Sequence, residues 1–102
     1  MPELKHFIAS DSRAEMLAAI KQDGAIVVDS VIAPDALQQV VSELSPYVES
    51  THDGNDEFTG FHTTRTGGLV MRSPGCRDLI QDPLVLGLCD DFLAPYCERY
   101  QL

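Results

Sequence analysis

The residues of this 102-residue chain with types suited to holding a metal or moving a proton are its three histidines, three cysteines and 16 carboxylates. A mononuclear iron site of the two-His, one-carboxylate kind brings three ligands to one face, commonly from an H-x-D or H-x-E pair and a distant His. Two positions after His6, His52 and His62 stand Ile8, Gly54 and Thr64, so no such pair exists. His52 and Asp53 are adjacent, and adjacent side chains on an extended chain point to opposite faces. A complete metal site is therefore not expected within these residues. Cys76, Cys89 and Cys97 form no C-x-x-C pair, and an odd count makes neither a disulfide framework nor a zinc site the expectation. Cys89, between Leu88 and the Asp90–Asp91 pair, reads as a small buried hydrophobe.

The polar stretch 49–66 carries two look-alikes. Asp53, Asn55 and Glu57 alternate as in a calcium loop, but Phe58 takes the place of the glycine at the sixth position and Thr64 that of the closing Glu. Gly54-Asn55-Asp56-Glu57-Phe58 resembles the diguanylate cyclase signature with one substitution, yet those catalytic domains are longer than the whole chain. Both read as a solvated acidic loop. Arg65, Arg72 and Arg77 are three of only seven basic residues and flank positions 67–71. A guanidinium fork matches a carboxylate bidentately, so a local basic cluster on an acidic chain could receive an anionic ligand. The same arginines could instead pair with surface carboxylates, each pair worth little. No Ser–His–Asp order, nucleophile elbow, Walker loop or Rossmann fingerprint is present.

Positioning these residues needs a folded scaffold, and the composition supports one. At 44% apolar and 23% charged, the chain lies among ordinary globular sequences, as one domain or a piece of one. A formal net charge of −9 offers no basic stripe to follow phosphates, which argues against nucleic acid as a partner. Apolar runs such as Ala25-Ile26-Val27-Val28 fall far short of the ~20 residues that cross a membrane, and no signal peptide is visible. A cytoplasmic location is the expectation.

The elements follow from local signals. Ser12 and Glu15 fit a capping box ahead of Ala14, Leu17 and Ile20, and Gly24 suits the left-handed residue that ends a helix. Ala25 to Val28 reads as a buried strand. Pro34 and Asp35 open a second helix with Leu37, Val40, Val41, Leu44 and Val48 on one stripe, which Pro46 should end near Ser45 or kink. The stretch 49–66 is long for a structureless connection, and such segments in compact domains are commonly functional or disordered. Positions 67–72 read as a strand centred on Leu69, Val70 and Met71. Ser73-Pro74 and Asp82-Pro83 each read as an N-cap followed by proline, starting helices over roughly 74–81 and 83–93. Positions 96–102 look like the start of a further strand. The predicted class is α/β (α+β), with amphipathic helices flanking a few strands in one unit spanning 1–102 whose core is unfinished.

Taken in order, these pieces resemble the phytanoyl-CoA dioxygenase family. Asp23-Gly24-Ala25-Ile26-Val27-Val28, then Val31-Ile32-Ala33-Pro34 and an amphipathic helix, looks like its opening. Thr64-Arg65-Thr66-Gly67-Gly68-Leu69-Val70-Met71-Arg72-Ser73-Pro74 is similar to a later stretch, continued by Arg77-Asp78-Leu79-Ile80 and Asp82-Pro83-Leu84-Val85-Leu86. The likeness covers nearly the whole chain from about residue 15, and Tyr100-Gln101-Leu102 looks like the start of a strand leading toward the iron ligands. It implies an Fe(II)- and 2-oxoglutarate-dependent oxygenase on a double-stranded β-helix, a jelly-roll variety, that hydroxylates a small organic molecule. By the resemblance, the H-x-D…H iron ligands, and a later Arg for 2-oxoglutarate, lie beyond Leu102. The chain then reads as the amino-terminal part of the enzyme with its core strands missing, and is not expected to bind metal or act alone. It further implies that Arg65 reaches 2-oxoglutarate and that Phe58 and His62 line the substrate entrance, Arg72 and Arg77 being structural. The competing expectation is a small acidic interaction domain derived from such an oxygenase. Either way, exposed apolar surface would favour self-association or pairing with the missing carboxy-terminal portion.

Overall fold

A computed structural model describes residues 3–101 as a mixed helical protein with two parallel strands. The elements are β1 (His6–Ile8), α1 (Arg13–Asp23), β2 (Val27–Asp29), α2 (Pro34–Ser50), α3 (Leu69–Arg72), α4 (Pro74–Ile80) and α5 (Pro83–Leu93). They fall into two compact units: the chain up to Val31 together with the residues from Ile80 onward, and the span from Ile32 to Leu79. No helix is long and apolar enough to cross a membrane among the described residues.

In the first unit β1 and β2 pair in parallel, His6 opposite Val27 and Ile8 opposite Asp29. Parallel strands need a crossover, and α1 supplies it. The Ser12 hydroxyl accepts from the Glu15 amide at 3.3 Å, and Gly24, at φ 83°, donates its N–H to the Ile20 carbonyl. The expected start and stop of α1 are therefore those observed. α1 buries Met16 and Ala19 and packs on α5. The Asp82 carboxylate caps α5 by accepting from the Leu84 and Val85 amides. Arg13 ties the two helices through Asp91 at 2.7 Å, its guanidinium lying over Gly87, where a Cβ would collide with it.

Two local expectations in this unit are corrected, and one element, β1, was not anticipated. The strand expected at 25–28 is set two residues later at its start, at Val27–Asp29, because pairing with β1 decides its register. β1 itself has too few residues for its alternation to announce it. Positions 96–101 form no strand; Leu102 lies outside the described residues. The Tyr96 and Cys97 amides turn back to the Leu93 carbonyl, and the Tyr100 hydroxyl donates to Asp90 Oδ1 at 2.6 Å. That hydrogen bond, with some burial and the Asp90 charge, pushes the Tyr100 hydroxyl up to about 12. An ultraviolet titration should find one tyrosine ionising near that value. Asp90→Asn should return it toward the ordinary value of about 10. Since the raised group favours the protonated form, its contribution to stability is full below about 10 and is lost as pH climbs toward 12.

In the second unit α2 starts at Pro34 and runs through Pro46 to Ser50, so of the two expected effects of Pro46, a kink or a stop near Ser45, the stop does not occur. Pro46 forfeits the backbone donor for the Ser42 carbonyl, yet the helix continues past it; near it the Ser45 hydroxyl donates to the Val41 carbonyl and the Thr51 hydroxyl to that of Tyr47, each at 2.6 Å. The strand expected at 67–72 is instead the single turn α3. Gly68, at φ 68°, leaves the extended region just before the apolar triplet, and the Arg72 and Ser73 amides close back onto Gly68 and Leu69. Three apolar residues in a row cannot distinguish strand from helix by period.

Ser73, fully buried, then caps α4 by accepting from the Cys76 amide at 3.0 Å. Gly75 packs so closely on α2 that a Cβ would sit 2.7 Å from Val40 Cγ2, and its amide donates to Glu43 Oε2. Partial burial alone would raise the Glu43 carboxyl; hydrogen bonds from Ser73, Gln39 and Gly75, with the Arg77 charge nearby, more than offset it and hold Glu43 below the usual carboxylate value. Buried apolar side chains are few among the described residues: Met16, Ala19 and Cys76. α2 buries none of its own, and Leu37, Val41 and Val48 stay about half exposed.

Candidate functional site

The irregular span from Thr51 to Thr66 in the second unit is closed at its neck rather than loose. Asp53 and Thr64 form an antiparallel bridge, the Gly54 amide donates to the Thr63 carbonyl at 2.9 Å, and the Thr51 and Thr66 hydroxyls meet at 2.8 Å. Inside that neck Asp56 organises the tip. It accepts from both the hydroxyl and the amide of Thr59, and its carbonyl accepts from Gly60, whose φ is 78°. Those Thr59 hydrogen bonds, the hydroxyl's first, hold the Asp56 carboxyl below its ordinary value. The acidic stretch is thus a built loop, as an Asp side chain bonding the backbone ahead of it builds turns.

Gly54 is the tightest point of the loop. A Cβ there would run into the Gly60 carbonyl oxygen and lie 2.6 Å from that of Thr59, both backbone atoms that cannot swing aside. Gly54→Ala should therefore cost about 1–3 kcal/mol by forcing the loop open. Gly67→Ala, facing open space, should stay within about 0.5 kcal/mol, with urea unfolding as the common measurement.

Along the neck, with Thr59 of the tip, lies a recess of about 190 Å³ lined by His52, Gly54, Thr59, Thr63 and Arg65. Arg65 donates from Nη2 to the Phe58 carbonyl at 3.2 Å, and its guanidinium stands over the Phe58 ring, 5.7 Å from the centroid. Phe58 is 84% exposed and Phe61 57%, so neither ring is a core residue. His62 is exposed on the same loop and is not among the residues lining the recess. Of the three site residues expected from sequence, Arg65 and Phe58 are brought together. His62 is placed beside them only along the chain.

His52 and Thr63 were not anticipated as neighbours of Arg65. The signal available was weak: His52 precedes and Arg65 follows the two residues that bridge the neck, Asp53 and Thr64. The other arginines have different surroundings. Arg72 lies 4.6 Å from the Tyr47 ring centroid, and the charge of Arg77 acts on Glu43. No group of three His, Cys, Asp or Glu side chains able to hold a metal occurs among the described residues. What the recess offers is an arginine, an imidazole and two threonine hydroxyls, of which that of Thr59 already donates to Asp56; the arginine and Thr63 can donate to an anion's oxygens.

No family model matches the chain. It is 34% identical over 95 residues to the multifunctional dioxygenase ausE of Penicillium brasilianum, a match covering 87% of this chain and 31% of that protein. It is 33% identical over 95 residues to the multifunctional dioxygenase prhA of the same organism, with the same coverage. The dioxygenase swnH2 of Arthroderma benhamiae matches at 27% over 67 residues, 64% of this chain and 21% of its own length. The chain is thus related to dioxygenases over most of its length, and it spans about a third of the length of the first two.

Proposed function

We propose that these residues are the amino-terminal segment of an Fe(II)- and 2-oxoglutarate-dependent dioxygenase of the phytanoyl-CoA dioxygenase kind, which hydroxylates a small organic molecule. The observation that carries this reading is the relationship to multifunctional dioxygenases along 95 residues. In this reading the double-stranded β-helix, with an H-x-D pair and a later His for iron, belongs to the part of the relatives' length that the chain does not span. Iron with 2-oxoglutarate would supply the oxidation of a C–H bond; the described residues contribute no metal cluster to it.

The recess fits the cosubstrate's chemistry. Arg65 would hold one carboxylate through the guanidinium N–H groups that Phe58 does not use, in charge-assisted hydrogen bonds. Phe58 and His62, exposed on the loop that carries the recess, would line the substrate's approach and help exclude water from it. The test is the nucleotide sequence of the authentic transcript past the Leu102 codon. An open frame encoding H-x-D, a later His and then an Arg is expected. A transcript lacking any such frame would remove the proposal.

A further inference from the structure

We infer that Phe58 is a positioning residue for Arg65, holding the guanidinium ready to receive a carboxylate; this rests on the reading above in which Arg65 binds the cosubstrate. Two separate contacts from one residue grip one guanidinium. The Phe58 carbonyl accepts from Nη2 at 3.2 Å, and the Phe58 ring faces the guanidinium carbon at 5.7 Å from its centroid. A hydrogen bond and a ring face together restrain both the position and the tilt of a planar cation.

Phe58 can serve as a fixed support because its own backbone is fixed. It lies between Asp56 and Thr59, which are joined by two hydrogen bonds, and inside a neck closed by Gly54 with Thr63 and Asp53 with Thr64. The ring meanwhile gains little from burial, being 84% exposed, so core packing does not explain where it sits. An arginine side chain has several torsions to freeze when it grips an anion. Freezing them beforehand removes that cost from binding. The carbonyl contact takes one of five N–H groups and leaves the others for the ligand.

The test uses the complete dioxygenase labelled with 15N-arginine, with a diamagnetic divalent cation in place of iron, titrated with 2-oxoglutarate and read by NMR at the Arg65 Nε–Hε signal. In the wild type that signal should lie upfield, under the Phe58 ring, and shift on adding 2-oxoglutarate. Phe58→Leu should return the free-state signal to the position of an unstacked arginine and weaken binding about two- to fivefold, the worth of an exposed cation–π contact. Phe58→Tyr should preserve both. Adding Phe58→Leu to Arg65→Ala should weaken binding no further than Arg65→Ala alone.

The outcomes separate the inference from the reading beneath it. If Arg65→Ala leaves 2-oxoglutarate binding unchanged, or the wild type shows no shift at Arg65, both fall. If Arg65→Ala weakens binding and Phe58→Leu does not, the positioning role falls and Arg65 keeps its own.

Discussion

Arg65→Ala is expected to raise the Michaelis constant for 2-oxoglutarate about ten- to a hundredfold in the complete dioxygenase, with a much smaller change in turnover at saturating cosubstrate. Hydrogen bonds to a charged group are worth about 1.5–3 kcal/mol, and each 1.4 kcal/mol is tenfold. Alanine removes the guanidinium from a recess whose lining holds no carboxylate, and neither His52 nor Thr63 offers a bidentate fork in its place. Arg65 also braces its own loop through the Phe58 carbonyl, so stability has to be measured beside kinetics. Arg72→Ala is the control. Arg72 lies over Tyr47, beside α2, so its loss should lower the melting temperature and leave cosubstrate affinity unchanged. If Arg65→Ala behaved as Arg72→Ala is expected to, Arg65 would be a structural residue.

Met16→Ala carries the largest expected loss of stability, about 2–5 kcal/mol. Met16 is completely buried and, with Ala19, gives α1 its buried face in the unit where α1 packs on α5. The buried apolar set among the described residues is so small that little remains to collapse into the cavity. Against a usual domain stability of 5–15 kcal/mol, such a loss is a large fraction of the total. Urea denaturation should show the midpoint falling. Val41→Ala, on the half-exposed face of α2, should cost far less. Equal losses from the two would mean that the interior of the first unit is not organised around Met16.

The signals that were legible in the sequence are those written within a few residues. Ser12, Gly24, Ser73 and Asp82 act through side chains or φ angles on their immediate neighbours, so residue type alone located the helix ends they set. The misreadings came where the deciding group is distant or where a local signal is masked by its neighbours. β1 exists because Lys5 to Ile8 finds 27–29 alongside, and the register of β2 follows from that pairing. α2 runs on past Pro46 to Ser50, a continuation that the loss of one backbone donor does not prevent. α3 turns on one left-handed glycine that a run of Leu, Val and Met conceals.

The candidate site divides in the same way. Arg65 and Phe58 could be singled out by resemblance, seven residues apart, and the loop folds them together. His52 joins the recess only because the neck at Asp53 and Thr64 closes, a pairing with no periodic signature. His62, singled out by the same resemblance, is absent from the lining of the recess, and proximity along an irregular loop does not fix which side chains share a site.

The central claim, that this segment serves a 2-oxoglutarate-dependent dioxygenase, is tested most directly by succinate release. The complete protein, loaded anaerobically with Fe(II), is given 2-oxoglutarate and then oxygen, and succinate is quantified with and without each component. Succinate that requires iron, oxygen and 2-oxoglutarate together, and that falls in Arg65→Ala at limiting 2-oxoglutarate, is the predicted result. A folded, iron-loaded protein that forms no succinate under any of these conditions would contradict it.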